Sequence, residues 1–205
     1  MPNKKLLLLD FNGVISYNRF WESFYDPSSV YFEISGKINQ FLFLDNKELV
    51  QDWMCGLYTS EEIVMKLSNY LHFNYDILWK EFKKSATQID ISIPILNYLN
   101  SLKKKYFIVL ISDNMDSFNR YTLPNNPKMS EVFDSIYISC EKGKLKRDNG
   151  GELFKDIMND YEVEFSDAYY IDDSPKNIDL FNELGGKGVC LTGEEHILKY
   201  LASIS

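Results

Sequence analysis

Asp10 and Asn12 stand two residues apart, directly after Leu6-Leu7-Leu8-Leu9 and directly before Gly13. If strand geometry persists through them, the two side chains point the same way. Two further apolar runs end in polar clusters. Phe107-Ile108-Val109-Leu110-Ile111 runs into Ser112-Asp113, and Ala168-Tyr169-Tyr170-Ile171 runs into Asp172-Asp173. Were these strands neighbours, Asp10, Asp172 and Asp173 would crowd three carboxylates together. Two like charges about 4 Å apart repel by roughly 4 kcal/mol at an effective dielectric of about 20. A cation or a raised pKa relieves such a cluster. Hard oxygen donors with no histidine or cysteine beside them favour Mg²⁺, which keeps waters and shares a substrate phosphate. A basic group is still needed, and Glu141-Lys142-Gly143-Lys144-Leu145-Lys146-Arg147 offers several. One lysine reaching inward would neutralise a phosphate and the carboxylates together; the others read as solvated charge. Any single cluster taken alone reads first as a helix cap, as Ser174-Pro175 suggests; it is their joint occurrence that favours a site.

The elements that must position these groups follow from the apolar pattern. Leu6 to Leu9 is too short for a membrane span or for the apolar core of a signal peptide. It reads as a strand buried on both faces, central in a parallel sheet, with Asp10 at the carboxyl edge where open α/β sheets bind ligands. Gly13 permits a backbone conformation that other residues resist. Residues 17–91 read as all-helical and form a separate unit inserted after the first strand. Asp45 with Glu48 predicts an N-terminal cap for a helix ending near Gly56, and Thr59 with Glu62 a capping box. Asn74 opens another helix. Tyr17, Phe20 and Trp21 belong to a dense aromatic set that packs within this unit or closes over the site.

From residue 92 the pattern alternates. Ser92 and Pro94 open a helix, and strands are predicted at 107–111, 135–139, 168–171 and 188–191. Helices fall at 115–121 and 151–161; Ser174-Pro175 caps another, and Thr192-x-x-Glu195 caps the last. With the first strand this gives an α/β fold: a doubly wound, parallel, five-stranded Rossmann-like sheet. Its core spans 1–16 and 92–205, with the inserted helical unit at 17–91.

The 205 residues, 45% of them hydrophobic, suffice for one core and a small second unit. A net charge of −8 repels phosphate backbones, so no nucleic-acid partner is expected. Cys55, Cys140 and Cys190 are odd in number and widely spaced, as in a reduced protein. With no secretory signal and no membrane span in the sequence, a soluble cytoplasmic protein is expected.

Four stretches in order resemble the haloacid dehalogenase-like superfamily, whose members are mostly phosphate-monoester hydrolases. They are Asp10-Phe11-Asn12-Gly13-Val14; the strand ending at Ser112; Gly143-Lys144-Leu145-Lys146-Arg147-Asp148; and Asp172-Asp173-Ser174 followed by Asn177. The resemblance covers nearly the whole chain, and the insert is similar to the helical cap of the phosphoglycolate phosphatase-like branch. It implies that Asp10 is the nucleophile, forming an aspartyl-phosphate that water then cleaves. It implies that Asp10, the Asn12 carbonyl and Asp172 hold Mg²⁺, with Asp173 in support. Ser112 and Lys146 would bind the transferring phosphoryl group of a small phosphorylated metabolite.

The sequence departs from that pattern chiefly at position 12, where the phosphatases place a second Asp as general acid and base. Asn12 cannot exchange a proton in this way. Such catalysis is typically worth about 10² to 10⁴ in rate. The expectations are a slow phosphatase, one restricted to good leaving groups, or a catalytically silent phosphate-binding or regulatory protein. Metal-free dehalogenase chemistry is the weakest alternative, given Asp172-Asp173. Arg147 replaces the usual Pro, and Asp113, a supporting residue, stands where Asn is common.

Overall fold

The computed structural model describes residues 4–18 and 21–205. Phe20 lies outside the described residues. The chain opens on strand β1 (Lys5–Leu9), followed by helices α1 (Glu22–Tyr25), α2 (Phe32–Asn39), α3 (Lys47–Met54), α4 (Ser60–Leu71) and α5 (Tyr75–Thr87). It continues with α6 (Ile93–Leu102), β2 (Tyr106–Ser112), α7 (Pro127–Val132), β3 (Ser135–Ile138), α8 (Ser139–Lys142) and α9 (Glu152–Tyr161). β4 (Ala168–Asp172), α10 (Pro175–Glu183), β5 (Lys187–Cys190) and α11 (Glu194–Ser203) complete it.

The five strands are all parallel, in the order β3-β2-β1-β4-β5. The chain therefore winds outward from β1 in both directions, which places β1 at the crevice where such sheets bind ligands. Period-two alternation explains why β1 is nearly all leucine. Leu7 and Leu9 enter the core shared with Leu96, Leu99 and Leu201, while Leu6 and Leu8 enter the core shared with Phe154, Ile157 and Phe181. Leu6 to Leu9 are fully buried. At about 1.5–3 kcal/mol for each buried leucine, this strand is a principal anchor of the sheet.

The helices between β1 and α6 gather around an apolar cluster of their own, with Trp21, Phe24, Trp53 and Phe82 at its centre and Met115 joining from beyond β2. Trp21 thus packs in this cluster rather than over the strand ends. Tyr17 is half-exposed and donates to the Val14 carbonyl at 3.0 Å. Thr59 and Glu62 make the expected capping box, and Asn74 and Ser92 cap α5 and α6 through the amides of Ile77 and Ile95.

Three expectations about local structure fail. Asp45 does not cap α3; it closes a π-helical turn over Gln40–Asp45 and accepts from Gln40 Nε2 at 2.6 Å. Thr192 does not cap α11, whose first turn follows Gly193; its hydroxyl donates to the Gly13 carbonyl at 3.1 Å. The helix expected at 115–121 is mostly a π-helical turn, Phe118–Thr122. Extra residues wound into one turn mimic α-periodicity in sequence, which is why both π segments read as ordinary helix. Among the described residues, no helix is long and apolar enough to cross a membrane. All three cysteines are free.

Candidate active site

β1 ends at Leu9, and the Asp10 amide still donates to the Ile171 carbonyl of β4 at 2.9 Å. That bond holds Asp10 against the end of the neighbouring strand. The chain then leaves extended geometry. The Ser16 amide reaches the Phe11 carbonyl at 3.0 Å, and the Gly13 amide reaches the Ser16 carbonyl at 2.7 Å. Strand geometry therefore does not persist to Asn12: Asp10 is buried and Asn12 exposed. Gly13 takes φ +76°, and a Cβ there would lie 2.7 Å from Asp173 Cγ. The glycine lets the loop and the Asp173 side chain share this space.

Lys146 comes from the loop after α8 and is 1% exposed. Its ammonium lies 2.8 Å from Asp10 Oδ1 and 2.8 Å from Asp172 Oδ2. Of the cations in that stretch it is the one turned inward; Lys142 and Arg147 are exposed, and Lys144 pairs with Glu152 and Asp156. Its position is set by the backbone, since the Lys146 amide donates to Asp113 Oδ1 at 2.9 Å. Asp113 is thereby tied to the lysine loop. Ser112 is buried at the end of β2, beside β1 in the sheet. Oxygens of Asp10, Asp172 and Asp173 lie within 4.8 Å of one another.

Asp172 is fully buried and saturated with donors. Tyr170 Oη donates to Oδ2, as does Asn177 Nδ2 at 3.0 Å, and the Ser174 amide donates to Oδ1 at 2.7 Å. Ser174 caps α10 by position, without a hydrogen bond from its side chain. Strand-end cap and charged cluster are thus one arrangement, with Asp172 the acceptor for both. Tyr170 is the site residue that sequence reasoning missed. The signal was present: residues 170 and 172 of a strand share a face.

The electrostatics divide the two carboxylates that share Lys146. Burial pushes Asp10 up to about 7, and Asp172 adds to the effect, while the Lys146 charge works against it. At Asp172, burial also favours the neutral acid. The Lys146 charge and the hydrogen bonds from Lys146, Tyr170 and Ser174 more than offset this, and its carboxyl stays below the ordinary value. Lys146 is held above its ordinary range; burial disfavours its charge, but Asp10, Asp172 and Asp113 outweigh that. Both polar contacts of the Asp10 carboxylate fall on Oδ1, from Lys146 and from the Phe11 amide at 2.7 Å. Among the described residues Oδ2 has no such partner, so the site holds an oriented carboxylate with one oxygen unengaged.

A cavity of 280 Å³ opens beside these strand ends. Phe11, Asn12, Phe43, Val50, Asp113 and Phe118 line it, so its wall combines the loop after β1, the end of β2 and the helical insert. Of the strand-end carboxylates, Asp113 is the one on its described lining; a larger cavity of 630 Å³ within the insert, flanked by Glu22, Glu81 and Lys84, has none.

No family model and no curated protein matches the chain. Solved structures do. A predicted HAD-like family hydrolase from Porphyromonas gingivalis is 23% identical, with a TM-score of 0.77 over 98% of each chain. A HAD family enzyme from Bacteroides thetaiotaomicron, in complex with magnesium and inorganic phosphate, is 24% identical. Its TM-score is 0.73 over 93% of this chain and 96% of that one. A haloacid dehalogenase-like family hydrolase from Xanthomonas campestris is 8% identical with a TM-score of 0.65, covering 98% and 91%. Sheet order, strand-end carboxylates and these likenesses agree: the chain has the fold of the haloacid dehalogenase-like (HAD) hydrolases.

Proposed function

We propose that the protein is a Mg²⁺-dependent phosphatase or phosphotransferase that acts on a small phosphorylated metabolite through an aspartyl-phosphate at Asp10. The observation that carries this is the buried Lys146 shared at 2.8 Å between Asp10 and Asp172. A lysine so placed holds a nucleophilic carboxylate and meets the anionic oxygens of an incoming phosphoryl group. The helical insert would act as the cap that closes the 280 Å³ cavity over the substrate.

The donors fit Mg²⁺. Asp10, Asp172 and Asp173 present only hard oxygens within 4.8 Å of one another. Asp10, Asp172 and the Asn12 carbonyl would hold the cation, with Asp173 in support. Bound there, Mg²⁺ supplies positive charge against the oxygens of the transferring group. Asp10 attacks phosphorus in line with the leaving oxygen, while Lys146 and Ser112 bind the equatorial oxygens. Water then attacks the aspartyl-phosphate and returns Asp10 to its carboxylate.

A panel of phosphorylated metabolites with Mg²⁺ tests this reading. Turnover that Asp10→Ala abolishes, together with beryllofluoride binding, supports it; no turnover with any divalent metal overturns it. A second reading, a silent phosphate-binding or regulatory protein, draws on Asn12, whose amide serves as neither general acid nor general base where the cavity meets the loop. It gains if wild type only binds phosphorylated ligands and Asn12→Asp switches turnover on.

A further inference from the structure

We propose that Asp113 is the general acid and base of this site, replacing the carboxyl that Asn12 lacks. The inference rests on the phosphatase reading above and adds a catalytic residue to it.

Three observations carry it. First, Asp113 and Asn12 line the same 280 Å³ cavity, and Asp113 is the one carboxyl among its described lining residues. Liquid water takes about 30 Å³ per molecule, so this is room for one small leaving group that both residues border. Second, Asp113 directly follows Ser112, at the carboxyl end of the strand beside β1. Third, its two oxygens are differentiated. Oδ1 accepts from the Lys146 amide at 2.9 Å, which fixes the side chain, while Oδ2 has no hydrogen-bond partner among the described residues. One oxygen is anchored and the other is available.

The surroundings suit a group that exchanges a proton. Burial raises the Asp113 carboxyl above its ordinary value, against the opposing Lys146 charge and with Asp172 and Asp148 adding to the rise. Tyr170 and Cys55 also sense its charge. An ionised Asp113 would repel an arriving phosphate; the neutral acid does not, and it carries the proton that the leaving oxygen needs.

The steps balance. Asp10 attacks phosphorus, the bond from phosphorus to the leaving oxygen breaks, and that oxygen takes the Asp113 proton. The enzyme then holds an aspartyl-phosphate and an Asp113 carboxylate. Water attacks phosphorus, Asp113 takes its proton, the Asp10–phosphorus bond breaks, and phosphate leaves with both groups restored.

Asp113→Asn is the direct test, because the amide oxygen can keep the bond from the Lys146 amide. With p-nitrophenyl phosphate and Mg²⁺, the variant should release a burst of p-nitrophenolate near the wild-type rate, since that leaving group needs no proton. Steady-state turnover should then fall about 10²- to 10⁴-fold, with phosphoenzyme accumulating by intact mass. Alkyl phosphates should be lost at the first step. The limb of the kcat–pH profile due to Asp113 should disappear, and adding Asn12→Asp should restore turnover. Wild-type turnover of alkyl phosphates by Asp113→Asn overturns the proposal and leaves the phosphatase reading standing. Parallel loss of beryllofluoride binding overturns it too, by making Asp113 a structural residue. Should the variant not fold, wild type decides: rates nearly independent of leaving-group pKa support proton donation, and a steep dependence overturns it. No phosphoenzyme and no turnover from wild type overturns the phosphatase reading itself.

Discussion

At the scale of single residues, Lys146 is where stability and chemistry meet. It is buried between two carboxylates at 2.8 Å, and removing it leaves both without their counter-charge. Lys146→Met keeps the length and loses the charge. We expect it to cost about 3–5 kcal/mol in urea titration, as for a buried ion pair stripped of one partner. Turnover should vanish even where the fold survives. Gly13→Ala addresses the loop instead. Its methyl would lie 2.7 Å from Asp173 Cγ, in a residue at φ +76°. Asp173 must move, so the expected result is weaker Mg²⁺ affinity by calorimetry with Asp10 still able to bind beryllofluoride weakly. Unchanged Mg²⁺ affinity would remove Asp173 from the site. Most of these groups are legible in sequence because the strand ends coincide: an apolar run stopping at Asp10, Ser112 or Asp172 reads singly as a helix cap, but the three together point to one shared edge. The single inward lysine is legible only once the motif order singles out Lys146 among its basic neighbours. What the sequence leaves open is which contact each carboxylate makes. Asp172 caps the turn at Ser174 and holds Lys146 at once, and its bond from Tyr170 depends on strand pleat rather than on any motif.

Between elements, Asp116 ties the helical insert to the sheet. Its Oδ1 accepts from Trp53 Nε1 at 3.2 Å, from the Ser60 amide at 3.1 Å and from the Ser60 hydroxyl. Its Oδ2 pairs with Arg120 at 2.7 Å, and Arg120 also reaches Glu61. One carboxylate just beyond β2 thus gathers α3, the first turn of α4 and the π-helical turn. Burial disfavours its charge, but the bonds from Ser60, Arg120 and Trp53 hold its carboxyl below the ordinary value. Asp116→Asn should cost about 1.5–3 kcal/mol, the range for hydrogen bonds to a charged group. The pH dependence has a definite sign. A lowered carboxyl stabilises the fold above its unfolded pKa and loses that contribution as pH falls through the folded value. The gap between wild type and variant should therefore be full at neutral pH and close below the ordinary value of 3.8. A gap that persists in acid would assign the effect to geometry rather than charge. The bonds that reach the insert are not legible in sequence, because Ser60 and Trp53 stand 56 and 63 positions from Asp116; only the Arg120 pair, at i,i+4 spacing, is local. The capping signals fare better where they are local. Thr59 with Glu62 caps as its spacing predicts, whereas Asp45 and Thr192 are drawn away by a π-helical turn and by the Gly13 carbonyl.

Over the whole molecule, the strand order β3-β2-β1-β4-β5 decides what the site can be. Alternating strands and helices announce a parallel sheet, but they do not rank the strands; adjacency of β1 to both β2 and β4 is what brings Asp10, Ser112 and Asp172 to one edge. Each group is held by a strand that is itself buried, so the carboxylates are assembled before any cation arrives. Binding then requires little ordering, and its free energy should appear almost wholly as stabilisation of the folded state. At a Mg²⁺ concentration about 100 times the Kd, that stabilisation is about 2.7 kcal/mol. For a chain of this size each kcal/mol moves Tm by about 2–4 °C, so wild type should rise by roughly 5–11 °C with unchanged far-ultraviolet circular dichroism. Asp172→Asn removes a ligand oxygen charge from the same edge and should abolish most of the shift, whereas Asp167→Asn, an equal loss of charge at the amino end of β4, should keep it. The contrast matters because the chain carries a net charge of −8, and diffuse attraction of divalent cations to such a surface would also raise Tm. Equal shifts in wild type and Asp172→Asn would assign the effect to that diffuse charge and withdraw the metal from the strand-end site.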